Sequence, residues 1–290
     1  MPEAPTPIAP EAYTEDYYRS GVEGHREFAE SGGRALSPRL VRALELADPR
    51  PGQRVLDIAC GRGEIVLQSA RRGALAVGVD YARAAIDVAR QAIDGAQPGT
   101  ALARMDATRL AFLPASFDAA LMLDFVEHVY QPDLEAAFRE VFLALKPGGR
   151  LIVHTSPNRV FEDMVYPRYV RNVHRVLLTI ARAVRLKNRF FNVWVLPTDP
   201  HPPHDEYERQ LHVNPQSAGT LRDALRRQGF RIRRVDFWEP PRDAFFPPEL
   251  RWHKLGLRLL DVVRFLRPLS YLPPLDRFFS NHIWVVAERP

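Results

Sequence analysis

The chain has 290 residues, 46% hydrophobic and 26% charged, with a formal net charge of +5 and a single cysteine. Such a composition fits a globular protein of one large domain or two modest ones; one cysteine, Cys60, excludes an internal disulfide framework. No apolar run approaches the ~18 residues a membrane-spanning helix requires.

The opening "MPEAPTPIAP" lacks the basic-then-apolar pattern of a secretory signal and reads as a disordered lead-in, so the expected compartment is the cytoplasm. Residues 34–47 carry Leu36, Leu40, Ala43, Leu44 and Ala47 on one helical face, ended by "DPRPGQ". "RVLDIAC" is a short buried strand, followed by a glycine turn and helix in "GRGEIVLQSARRG". "LAVGVDY" and "TALARMDATRL" give the second and third strands, with the helix "ARAAIDVARQAI" after the second. "FDAALMLDFVEHV" gives a fourth, "PDLEAAFREVFLALKPGG" a helix with a glycine stop, and "RLIVHTSP" a fifth strand. Alternation of this kind predicts a doubly wound, Rossmann-like α/β sheet. Past Pro157 the rhythm breaks into arginines, aromatics and prolines, then resumes with the helix "SAGTLRDALRRQGF" and the strands "RIRRVDFWEP" and "HIWVVAE". The expected organisation is a lead-in and lid over 1–33 and a nucleotide-binding core over 34–157. A cap follows over 158–215, and the rest of the core spans 216–290 with a basic amphipathic insertion at about 242–280.

In open α/β sheets ligands bind outside the carboxyl ends of the strands. "LDIACGRGE" sets Asp57, Gly61 and Gly63 at the first such end, where glycines admit a ligand close to the backbone and a helix N-terminus offers free N–H groups. Asp80 ends the second strand, where a carboxylate can accept both hydrogens of a ribose diol; Asp106 ends the third, where it can accept from an exocyclic amine. A dinucleotide fingerprint needs G-x-G-x-x-G, but Val66 stands at the third position and Ala59 where another glycine would fit. An adenosyl ligand without phosphates suits this loop better; the bland alternative is that the glycines only make a strand-to-helix turn.

"VLDIACGRGE", "GVDYARAAIDVAR", "ARMDATRLAFLPASFDAALMLDFVEHV" and "FREVFLALKPGGRLIVHTSPN" resemble, in order, the motifs of class I S-adenosylmethionine-dependent methyltransferases over residues 54–158. The resemblance implies a seven-stranded sheet with the last strand antiparallel, helical insertions forming a lid, and S-adenosyl-L-methionine as cofactor. By position it places Asp57, Ala59, Gly61 and Gly63 around the methionine part, Asp80 on the ribose and Tyr81 beside the adenine. Asp106 and Ala107 would meet the adenine edge, with Asp124 under the sulfonium. Ala59 replaces the more usual glycine.

"LDFVEHV" occupies the place where amide and nucleobase N-methylases often carry an N/D/S-P-P-Y/F motif, which favours an oxygen acceptor, with carbon second. Asp124, Glu127 and His128 have three readings: capping of the following helix, His128 (or Glu127) as general base, or a divalent-metal site. The last resembles the E-x-x-E-H arrangement of quinone-biosynthetic O-methyltransferases and would hold a Mg²⁺-like ion. His154, His212 and His204 (beside His201) are candidate substrate contacts, and Tyr13, Tyr17 and Tyr18 belong to a candidate lid. For each single residue an ordinary packing role competes. In "YVRNVHRVLLTIARAVRLKNRFF" and "LRWHKLGLRLLDVVRFLRPL" arginines alternate with apolar residues at helical spacing. They read as a cap over the core, as a surface for the inner face of a membrane presenting a lipid-linked acceptor, or as an RNA contact, though no RNA-binding module accompanies them. The oligomeric state is not legible. The resulting expectation is O-methylation of a small molecule, quinone-like ring or lipid-linked glycan, against a C-methyltransferase or a non-catalytic adenosyl-ligand binding protein.

Overall fold

A computed structural model describes residues 7–93, 98–173, 175–176, 179, 210–238 and 267–290. The chain divides into two compact units. The first is Met1–Ser156, Leu211–Asp236 and Trp284–Pro290; the second is Pro157–Gln210 and Phe237–Ile283.

The first unit is built on a seven-stranded sheet. Its strands are β1 (Arg54–Ile58), β2 (Leu75–Asp80), β3 (Thr100–Arg104), β4 (Phe117–Leu123), β5 (Leu145–Thr155), β6 (Arg231–Asp236) and β7 (Ile283–Glu288). Their order is β3-β2-β1-β4-β5-β7-β6; β1 to β5 run parallel, and the last strand, β7, is antiparallel to β6. The central strands read as near-continuous apolar runs because helices cover both faces of a parallel sheet. Leu56, Ile58, Ala120, Leu121, Met122 and Val153 are accordingly fully buried.

Register decides where chemistry can collect. Ile58 pairs with Val79 on one side and Met122 on the other, Val79 with Ala103, and Leu123 with His154. The residues that follow these strands therefore emerge along one edge, at the point where strand order reverses between β1 and β4.

The helices are α1 (His25–Ser31), α2 (Pro38–Ala47), α3 (Glu64–Arg71), α4 (Arg83–Ile93), α5 (Gln131–Ala144) and α6 (Ala218–Arg227). Local chemistry sets the ends of two elements, the first off its expected start and the second at its expected end. The helix expected from Arg34 begins at Pro38, because the Ser37 side chain accepts from the Leu40 amide as a cap and Pro38 fits the first turn. The fourth strand ends at Leu123, because Asp124 takes a left-handed conformation, φ 51°. The lead-in, expected to be disordered, takes up structure from Pro7. Pro10–Ala12 is a 3₁₀ turn and Tyr17–Gly21 a π turn, and Tyr13, Tyr18 and Phe28 pack with Ala82, Ala85 and Val88.

Within the second unit, Phe161, Val165 and Tyr166 form a small core with Phe279, and the Asn158 side-chain amide donates to the Ser280 carbonyl at 2.9 Å. Most of the two basic amphipathic stretches, including residues 251–266, lie outside the described residues, as do His201 and His204. Among the described residues no helix is long and apolar enough to cross a membrane.

Candidate active site

Along the reversal edge of the first unit lies a cavity of about 270 Å³. Its floor is the turn after β1, where Ala59 (φ 55°), Gly61 (φ 49°) and Gly63 (φ 77°) bend the chain back into α3. Gly63 also serves close packing: a Cβ there would lie 2.9 Å from the Ala89 Cβ of α4. Asp57, Ala59, Gly61, Asp80, Tyr81, Asp106, Ala107, Asp124 and His128 all line the cavity, so most of the sequence-derived cofactor set converges on one space. Gly63, one residue further, is buried as the first cap of α3.

Asp80 is fixed by two backbone amides. Gly61 N donates to its Oδ2 at 3.1 Å and Ala82 N to its Oδ1 at 2.9 Å. Burial raises its carboxyl to about 6 against the pull of those amides. Each oxygen keeps a lone pair, the arrangement a vicinal diol requires. Burial, then Asp80 and Glu64, push the Asp57 carboxyl well up. Asp106 forms a local turn, accepting at Oδ1 from Thr108 N and Oγ1 at 2.8 and 2.9 Å.

The Asp124–His128 stretch is taken apart by the structure. Asp124 accepts from Arg39 Nη1 at 2.5 Å and lies 2.5 Å from His154 Nδ1. His154 is fully buried, its ring 4.3 Å from that of Trp284, and it does not line the cavity. Its described contacts hold Asp124 in place. Glu127 is buried and turned toward the end of β5, accepting from Thr155 Oγ1 at 2.9 Å and more distantly from Ser156 N at 3.5 Å. Burial and then the Asp124 charge hold its carboxyl well above the ordinary range. The capping reading is overturned: α5 has Tyr130 at its cap position, with no side-chain cap bond. His128, half-buried, faces the cavity with Nδ1 3.2 Å from the Tyr13 hydroxyl.

The metal set expected from sequence also changes membership. Side-chain ligand atoms of Glu127, His128 and His212 lie within 4.8 Å of one another. Asp124 is not in that set, being committed to Arg39 and His154. His212 is brought there by Asn214, whose N donates to the Glu127 carbonyl at 3.0 Å and whose Nδ2 donates to the Val129 carbonyl at 2.9 Å. Its ring centroid lies 4.9 Å from that of His128. Two imidazoles and one carboxylate suit a divalent transition ion better than Mg²⁺, which prefers oxygen ligands.

Two cations escaped the sequence reading. Arg39 is buried on α2 and bridges Asp124 to Glu23; burial works against its charge, and the Asp124 and Glu23 carboxylates outweigh it. Arg62, between the two glycines of the turn, donates to the carbonyls of Tyr18 (3.1 Å), Val22 (3.4 Å) and Glu23 (2.8 Å) and pairs with Glu64. The signal for Arg39 was present: it shares the face of Ala43 and Ala47, where a charge interrupts an apolar stripe. Arg62 carried none beyond its place in the loop.

Residues 55–149 match the family described as a methyltransferase domain. A ubiquinone biosynthesis O-methyltransferase of Xylella fastidiosa is 39% identical over 124 residues, 42% of this chain and 49% of that protein. A demethylmenaquinone methyltransferase of Corynebacterium kroppenstedtii is 31% identical over 139 residues, 47% of this chain and 56% of that one. The chain thus spans about half the length of the curated relatives it matches. An S-adenosylmethionine-dependent methyltransferase from Mesorhizobium loti shares the fold, with TM-score 0.53, 20% identity and coverage of 87% of this chain and 96% of that one. A [4+2]-cyclase is similar at TM-score 0.52 and 21% identity, covering 89% and 84%. Family match and strand order agree: residues 55–149 of this chain match a methyltransferase domain, on the fold shared with the solved S-adenosylmethionine-dependent methyltransferase.

Proposed function

We propose that the protein transfers the methyl group of S-adenosylmethionine to a hydroxyl of a small, quinone-like ring. The observation that carries this reading is one cavity lined both by Asp80, whose oxygens suit a diol, and by the imidazole of His128. The names of the curated relatives, one for ubiquinone O-methylation and one for demethylmenaquinone, support the substrate class. In the reaction the acceptor oxygen attacks the methyl carbon in line, the carbon–sulfur bond breaks with its electrons on sulfur, and the hydroxyl proton passes to His128. Asp57, Ala59, Gly61 and Gly63 border the methionine part, Tyr81, Asp106 and Ala107 the adenine. Asp124 provides fixed negative charge near the sulfonium, held by Arg39 and His154. Were a divalent ion bound, Glu127, His128 and His212 would hold it and it would acidify a bound hydroxyl, in place of His128 acting as the base.

The cavity lining includes Ile8, Tyr13, Tyr17, Val22 and Tyr130 and suits an acceptor with a hydrophobic tail, so a lipid-linked quinone precursor presented at a membrane surface belongs to the same reading. The test uses calorimetric binding of S-adenosylhomocysteine together with its formation in the presence of 3,4-dihydroxybenzoate and of prenylated catechols. Binding abolished by Asp80→Asn, and acceptor-dependent turnover cut at least ~100-fold by His128→Ala, are expected. Cofactor binding unchanged in Asp80→Asn would overturn the cofactor placement, and undiminished turnover in His128→Ala the base. Turnover surviving thorough chelation would remove the ion.

A further inference from the structure

Pro7, Ile8, Tyr13, Tyr17, Tyr18 and Val22 of the N-terminal segment form one wall of the cavity. Tyr18 is held there by the glycine turn after β1. Its carbonyl accepts from Arg62 Nη1 at 3.1 Å, and its ring lies on Gly61, where a Cβ would stand 3.6 Å from Tyr18 Cε1. Phe28, Ala82, Ala85 and Val88 share its buried cluster, and the Tyr17 ring meets it edge-on at 5.2 Å. Tyr18 is only 7% exposed, yet its hydroxyl has no hydrogen-bond partner among the described residues. Ser69 Oγ is an orphan sealed inside protein; the Tyr18 hydroxyl keeps accessible surface, and it opens on the space its residue lines. Polar groups this deep are ordinarily hydrogen-bonded, so an unpaired one on a cavity wall points to a partner within the cavity.

The neighbours of the hydroxyl say what that partner is. Gly61, under the Tyr18 ring, donates its N–H to Asp80 Oδ2 at 3.1 Å, so phenol and carboxylate flank one residue. An ionised carboxylate only accepts, and a diol bound to it gives up both hydroxyl hydrogens. The diol oxygens then keep lone pairs, while three polar hydrogens around Asp80 are spent. Gly61 N and Ala82 N donate to Asp80 itself, and the Tyr81 hydroxyl donates to the Ile8 carbonyl at 3.2 Å. Tyr18 holds a hydrogen that is not. Burial, then the charge of Asp80, push its phenol far up, so that hydrogen stays in place across neutral pH.

We propose that Tyr18 is a cofactor-binding residue: its hydroxyl donates to a ribose oxygen of S-adenosylmethionine while Asp80 accepts the hydrogens of the same diol. The assignment rests on the proposed placement of the ribose at Asp80. It makes the ribose subsite composite, one part from the end of β2 and one from the N-terminal segment. Asp80 recognises the hydrogens of the diol and Tyr18 an oxygen of it, so a deoxyribose ligand loses on both counts.

The experiment is binding calorimetry on the full chain with S-adenosylhomocysteine, its 2′-deoxy and 3′-deoxy forms, and its decarboxylated form. Tyr18→Phe is expected to weaken S-adenosylhomocysteine and the decarboxylated form alike by about fivefold, the loss of one neutral hydrogen bond. With whichever deoxy form lacks the oxygen that Tyr18 meets, wild type and Tyr18→Phe should bind equally. Because the hydroxyl has no described protein partner, the urea midpoint of unliganded Tyr18→Phe should match that of the wild type. A lowered midpoint would assign the hydroxyl to the fold and overturn the proposal. So would unchanged affinity for S-adenosylhomocysteine in Tyr18→Phe, or an effect of equal size with both deoxy forms. An effect erased by decarboxylation would put the hydroxyl on the methionine carboxylate and also overturn it. Each of these leaves the ribose at Asp80 in place, whereas unchanged binding in Asp80→Asn removes that placement and the proposal with it.

Discussion

With the ribose on Asp80 as proposed, cofactor binding is coupled to acidity. Its carboxyl, raised by burial to about 6, accepts hydrogen bonds from both ribose hydroxyls only when ionised. Cofactor affinity should therefore fall about tenfold between pH 7 and pH 5 as the carboxylate is lost. Stability of the unliganded protein moves oppositely. A carboxyl whose folded value lies above the unfolded one binds more protons when folded, so its contribution is present at low pH and is lost as pH rises through the window from about 4 to 6. The full effect is on the order of 3 kcal/mol, two units at about 1.4 kcal/mol each. Calorimetric titration of S-adenosylhomocysteine and urea unfolding, each at pH 5 and 7, check the pair. Affinity flat across this range would mean that Asp80 does not carry the ribose.

The glycine turn between β1 and α3 fits its neighbours as closely as it fits a ligand. At Gly63 the backbone is left-handed and α4 is in contact, so Gly63→Ala should cost about 2–4 kcal/mol in urea unfolding, from backbone strain and from overpacking against Ala89. A loss under 1 kcal/mol would show that α4 moves aside. This turn was legible in sequence because glycine spacing and the acidic strand ends are local signals, and the alternation of apolar runs revealed the strands for the same reason. The Asp124–His128 stretch was not, since its meaning depends on partners far along the chain: Arg39 and His154 for Asp124, Thr155 for Glu127, Tyr13 and His212 for His128. Three titratable residues within five positions invited one shared role. A left-handed Asp124 and a 3₁₀ turn over Val126–His128 send them in different directions.

At the scale of the molecule, the unit that holds the site is assembled from stretches on either side of long insertions, with β6 and β7 joining the sheet only after the chain has left and returned. That return explains how Trp284 comes to lie against His154, which sequence distance conceals. The N-terminal segment is the other distant contributor, held by Tyr81 on Ile8, by Arg39 on Glu23 and by a set of bonds from Arg62. Arg62 grips three carbonyls of residues 18–23 from the glycine turn after β1. If the spent cofactor leaves past that wall, Arg62, which also lines the cavity, sets its residence time through those bonds. Arg62→Lys keeps the charge but loses the planar fork. In a stopped-flow chase it should release S-adenosylhomocysteine about tenfold faster, the equivalent of one charge-assisted hydrogen bond, with association changed far less. Equal changes in both rates would place the exit elsewhere.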